Sequence, residues 1–137
     1  MNLSGPLVIL HVGRIERIIM QKPYSLEIIN EISVVRFFKK PTLSETLDAM
    51  DEVAGGGVTS KRLWIFQFGA KYTTPELGRI AQHSRKILPN PARAAIVVPN
   101  DLSFGLARMH EVFSESVGRE THVFRREQEA IVWLKDE

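Results

Sequence analysis

Two short runs constrain this chain more than any other feature: Leu63-Trp64-Ile65-Phe66-Gln67-Phe68 and Ala94-Ala95-Ile96-Val97-Val98. Both are almost wholly apolar, and neither alternates with polar residues. Runs this short suit strands covered on both faces, as in a parallel sheet with helices on either side. Each is followed by a helix-start signal. Strand–helix alternation of this kind implies right-handed crossovers and a mostly parallel sheet.

The helix signals are local and mechanistic. Thr42 with Glu45, and Thr73 with Glu76, are capping boxes, in which each side chain satisfies a free backbone amide. Leu43, Leu47, Met50 and Ala54 form one helical stripe, and Leu77, Ile80, Ala81, Ser84, Ile87 and Leu88 form another. Gly55-Gly56-Gly57 is expected to end the first helix in a left-handed cap. Pro75 is tolerated in a first turn, and Pro89-Asn90-Pro91 stops the second helix. Asn100 or Asp101 can cap a third helix carrying Leu102, Leu106, Met109, Phe113 and Val117, ended by Gly118. Thr121 to Phe124 reads as a last strand. Glu127 to Leu134 reads as a final helix with Ala130, Ile131 and Leu134 inward.

Upstream, Leu26 and Ile28 alternate with Ser25 and Glu27, which predicts a half-buried strand. Asn30-Glu31 predicts a tight turn into a second strand over 32–39, giving an antiparallel hairpin. The expected fold class is therefore α/β: β-β-α-β-α-β-α-β-α, with a mixed, mostly parallel five-stranded sheet and helices packed against it. Residues 24–137 form this domain. Residues 1–23 read as an N-terminal extension: Leu7 to Val12 as a strand, 14–20 as a strand or a short amphipathic helix, then Pro23 as a break. Met20 stands where a second start would fit, which makes 1–19 an appendage or the product of an upstream start.

Composition limits function. At 137 residues the chain has the size of one domain, with 44% apolar and 25% charged residues. The net charge of +2 gives no case for nucleic acid. The absence of cysteine excludes disulfides, cysteine-bound zinc, iron–sulfur clusters and thiol nucleophiles. No apolar run is long enough to span a bilayer as a helix. Leu7 to Val12 lacks the preceding charge and the cleavage motif of a secretory signal, so a cytoplasmic location is expected.

Residues 24–134 resemble the SpoIIAA-like group of STAS domains, whose fold is shared with CRAL-TRIO-like proteins. The resemblance rests on Tyr24-Ser25-Leu26-Glu27-Ile28, on 42–50 (Thr-Leu-Ser-Glu-Thr-Leu-Asp-Ala-Met), on Thr74-Pro75-Glu76-Leu77 and on 93–98. It rests most on 104–110 (Phe-Gly-Leu-Ala-Arg-Met-His) and 123–134 (Val-Phe-Arg-Arg-Glu-Gln-Glu-Ala-Ile-Val-Trp-Leu). It implies a small bacterial α/β domain of a class that binds other proteins, so a non-enzymatic regulatory module without cofactor or metal is expected; an enzyme is the less favoured reading, as no nucleophile–base or paired-carboxylate motif is visible. In STAS switches a serine at the start of the helix after a central strand is phosphorylated. That motif falls at Tyr72-Thr73-Thr74-Pro75, which has no aspartate or serine and carries a proline, leaving Thr73 or Thr74 as the candidate phosphoacceptor.

The expected contact surface lies at the carboxyl ends of the parallel strands, where open α/β sheets place ligands. Its residues are Lys71, Tyr72, Thr73, Thr74, Glu76, Asn100, Asp101 and Ser103. Self-association as a homodimer is open to an exposed edge strand. A lipid or other apolar ligand is the alternative, held among Trp64, Phe66, Phe68, Phe104, Phe113 and Trp133, although aromatics in such elements ordinarily build core. Arg79, His83 and Lys86 share a helical face and read as a solvated stripe, alongside the dispersed Arg85, Arg93, Arg108, Arg125 and Arg126. His11, His83, His110 and His122 lack metal-ligand spacing. Asp101-Leu102-Ser103-Phe104-Gly105 lacks the first glycine of a nucleophile elbow, and Gly55 to Lys61 follows a helix, so it is no phosphate loop.

Overall fold

In the computed structural model, residues 7–12, 15–56, 59–88, 93–100 and 120–136 are described. The elements run β1 (Leu7–Val12), β2 (Ile15–Gln21), β3 (Tyr24–Ile29), β4 (Ile32–Phe37), α1 (Leu43–Gly55), β5 (Lys61–Phe66), α2 (Thr74–Ile87), β6 (Arg93–Val97), β7 (Thr121–Phe124) and α3 (Glu127–Lys135). The helix expected over 102–117 lies outside the described residues, as do Pro89-Asn90-Pro91.

β3 to β7 form one five-stranded sheet in chain order. β3 and β4 are an antiparallel hairpin, and β4, β5, β6 and β7 are parallel neighbours. Asn30 and Glu31, both at positive φ (50° and 66°), close the hairpin in the turn that matches strand twist. β1 and β2 pair antiparallel in a sheet of their own, so 15–21 is strand and not helix.

Because successive crossovers of one hand step the same way along the sheet, α1 and α2 share a face. There Val35, Phe37, Phe66 and Ile96 meet Met50 and Val53 of α1 and Leu77 and Ile80 of α2. The Phe37 and Phe66 rings stack with centroids 4.9 Å apart. α3 covers the opposite face, where Ala130 and Leu134 pack on Ile32, Leu63, Ile65, Ala95 and Val97. Burial on both faces explains the continuous apolar runs.

Several details differ from the sequence reading, β6 among them, which runs over Arg93–Val97 and not 94–98. β5 runs over Lys61–Phe66, not 63–68: its register with β4 begins at Ile32↔Lys61, and Gln67-Phe68 forms a turn closed by the Gly69 N–H on the Phe66 carbonyl (3.0 Å). Gly69 sits at φ 81°, a backbone that side chains resist. β4 stops at Phe37, where the chain turns toward α1. α1 does end at the glycines, but Gly56 (φ −100°) is not left-handed. It is needed for close approach, since a Cβ there would lie 3.0 Å from the Glu52 carbonyl oxygen.

Candidate functional site

The parallel register carries β4, β5, β6 and β7 to one common edge. Phe37 lies opposite Phe66, Ile65 opposite Val97, and Val97 opposite Phe124. Ladder bonds continue just past the strand ends: Gln67 N–H donates to the Phe37 carbonyl (3.4 Å) and Val98 N–H to the Phe124 carbonyl (2.9 Å). With strands about 4.8 Å apart, the segments after them form a single rim. It consists of 38–42, 67–73, 98–100 and 125–126, and α1, α2 and α3 all begin there.

Both capping boxes form. Thr42 Oγ1 accepts from Glu45 N–H (3.1 Å), and the Glu45 carboxylate accepts from Thr42 N–H (2.9 Å). Thr73 Oγ1 accepts from Glu76 N–H (3.3 Å), and the Glu76 carboxylate accepts from Thr73 N–H (2.8 Å). Partial burial works to raise the Glu45 carboxyl, but the Thr42 amide and the Lys39 ammonium outweigh it and hold it below the usual range. Each box is worth about 1 kcal/mol per cap and fixes where the rim's helices start.

Lys71, Thr73 and Thr74 are exposed, Glu76 is half-buried, and Asn100 is exposed at the neighbouring turn. Asp101 and Ser103 lie outside the described residues. Tyr72 must be removed from the expected contact surface. It is 9% exposed and belongs to the core under α1. Thr46 spends its own proton on the Thr42 carbonyl (2.8 Å), so the Tyr72 hydroxyl donates to Thr46 Oγ1 (2.6 Å). Burial pushes this hydroxyl far above its ordinary value, so it stays neutral. Tyr72 therefore ties the rim loop to α1.

Phe68 is the residue the sequence reading misplaced. Assigned to a covered strand, it is 52% exposed at the tip of the turn after β5. The signal available was Gly69, which ends an apolar run at a residue suited to positive φ.

The other sequence candidates sit elsewhere. Trp64 and Phe66 pack on the α1/α2 face and Trp133 on the α3 face, so the described aromatics do not enclose one common ligand space. Phe104 and Phe113 lie outside the described residues. Arg79 and Lys86 are exposed, whereas His83 is half-buried and its Nε2 lies 2.8 Å from Asp51 Oδ1 of α1, which makes it a helix–helix contact. Arg93 stacks on Trp133 (4.9 Å) and donates to the Trp133 and Asp136 carbonyls, capping the end of α3. His122 packs on the same Trp133 ring at 4.6 Å. Arg108 and His110 lie outside the described residues. Arg36 donates through both terminal nitrogens to Glu127 (2.8 and 3.1 Å), fastening β4 to the start of α3.

No protein-family model matches the chain, and no match was found among curated proteins or among solved structures. Among the described residues, no helix is long and apolar enough to cross a membrane.

Proposed function

We propose that this chain is a non-enzymatic, protein-binding regulatory domain of the STAS, SpoIIAA-like type, acting in the cytoplasm through the rim at the carboxyl ends of its strands. One observation carries the reading: a large aromatic ring, Phe68, is held out at a tight turn between exposed Lys71, Thr73 and Thr74. Exposed aromatics rimmed by polar groups are the residues protein interfaces bury. The element order expected from the resemblance agrees with the described β-β-α-β-α-β and the closing β-α.

A phosphate switch within this reading belongs to Thr74 before Thr73. The Thr73 hydroxyl is engaged in its capping box, and the Thr74 side chain is exposed in the first helical turn, where added negative charge is favoured.

Affinity capture from native cells tests the reading with three forms of the full chain. The wild type and Arg79→Ala should retain the same stoichiometric protein, and Phe68→Ala should lose it. Equal retention by all three contradicts the proposed surface.

A further inference from the structure

The charges at the rim are unevenly disposed. Lys40 follows β4, Lys71 follows the Phe68 turn, and Arg125 and Arg126 follow β7; all four are exposed, whereas Lys39 is paired with Glu45. The carboxylates of the same edge are mostly committed within the fold. Glu45 holds the Thr42 amide and Lys39 (3.1 Å), Glu76 holds the Thr73 amide, and Glu127 holds Arg36 in a two-pronged bond. Glu129, in the first turn of α3, is exposed. The starts of α1 and α2 are closed by their own threonines, so it is the side-chain charge that faces outward.

We infer that the partner segment taken by this rim is acidic: an extended stretch of protein with carboxylates flanking one apolar side chain, which covers Phe68. The inference rests on the protein-binding reading above and specifies its chemistry. Cations around an apolar centre are complementary to that pattern, and complementarity of this kind sets orientation and association rate more than affinity. Gln67 and Thr74, exposed among the charges, offer hydrogen bonds that a peptide backbone can use. An anionic membrane fits less well. Among the described residues, Phe68 is the large apolar residue exposed at this edge; the other exposed ones, Ile28, Ile29 and Val132, lie on β3 and in the middle of α3. One ring gives little insertion into lipid.

A second copy of the chain is the other acidic candidate. Asp48, Asp51 and Glu52 are exposed on α1. Their influence reaches Tyr24, whose hydroxyl is raised by burial and then by Glu52, Asp48 and Asp51. Two of these three carboxylates are already in use, however: Asp51 pairs with His83 and Glu52 with Lys22 (3.3 Å).

The test places a photoreactive benzoyl-phenylalanine at position 68 of the full chain, expressed in native cells, and sequences what it captures. The expected product is a segment of a different protein with three or more Asp or Glu within about ten residues of the attachment point. Its yield should fall about tenfold with Lys71→Glu, and similarly when salt is raised from about 50 to 300 mM in lysate, as rim electrostatics require. A captured protein segment that is neutral or basic, with yield indifferent to salt, overturns the acidic partner and leaves the protein-binding surface standing. Capture of lipid only, of a second copy only, or of nothing overturns both.

Discussion

The two ends of the five-stranded sheet invert the usual rule of burial in opposite ways. At the amino ends, the register aligns Ser33, Arg62, Ala94 and Thr121 in one row across four strands. Ser33, Arg62 and Thr121 are buried, Arg62 to 2% exposure. Thr59 donates to the Lys61 carbonyl (2.6 Å), so Ser33 donates to Thr59 Oγ1 through both its amide (3.0 Å) and its hydroxyl (2.8 Å). At the carboxyl ends the turn after β5 exposes the Phe68 ring, whereas the apolar side chains exposed beside the amino-end row, Ile28 and Ile29, belong to the edge strand β3. Polar groups inside and apolar groups outside are the two informative departures from a core. Ser33 in the first is held by its bonds to Thr59 and belongs to stability. Phe68 in the second is half exposed and has that much less burial to lose.

That contrast can be broken or sharpened by substitution. Removing the buried guanidinium should have the largest effect. Arg62→Ala deletes a long, fully buried side chain and leaves a cavity in the row, at a cost of about 3 kcal/mol. Urea unfolding reads this, and a loss below about 1 kcal/mol would mean that the polar row is not part of the framework. The bonds that anchor the rim come next. Tyr72→Phe and Thr73→Ala should each cost about 1 kcal/mol, the first by leaving Thr46 without its donor and the second by opening a cap.

Glu45→Gln should have a smaller effect that depends on pH. The folded carboxyl titrates below its unfolded value, so its contribution is full above the unfolded value near 4.5 and is lost as pH falls through the folded one. The wild type should therefore melt higher than the variant at pH 7, and the gap should close by about pH 3. A gap that widens in acid would contradict the Lys39 and Thr42 contacts. Phe68→Ala should have the smallest effect, within about 0.5 kcal/mol in urea unfolding. A larger loss would make Phe68 part of the core and erase the contrast.

Much of the fold was legible because its signals are local. The capping boxes at Thr42 and Thr73 mark helix starts through backbone amides a few residues away. The doubly covered strands announce themselves by unbroken apolar runs. What was illegible depends on where a run stops being covered. Phe68 has the same character as Phe66, and only the Gly69 turn separates the exposed ring from the buried one. Tyr72 shows the converse: in a polar loop it reads as surface, yet its ring fills space under α1 because Thr46, far off in sequence, offers an acceptor. Arg62 is hidden for a related reason. A charged residue at the start of a strand reads as its solvated end until the register sets it against Ser33 and Ala94.

Hydrogen exchange of the full chain, alone and with its captured partner, tests the partner rim most directly. The account predicts slowed exchange across 67–74, with lesser slowing at 125–126, and no change along 25–31 of the β3 edge where Ile28 and Ile29 are exposed. Slowing confined to that edge strand, with 67–74 unchanged, would contradict it.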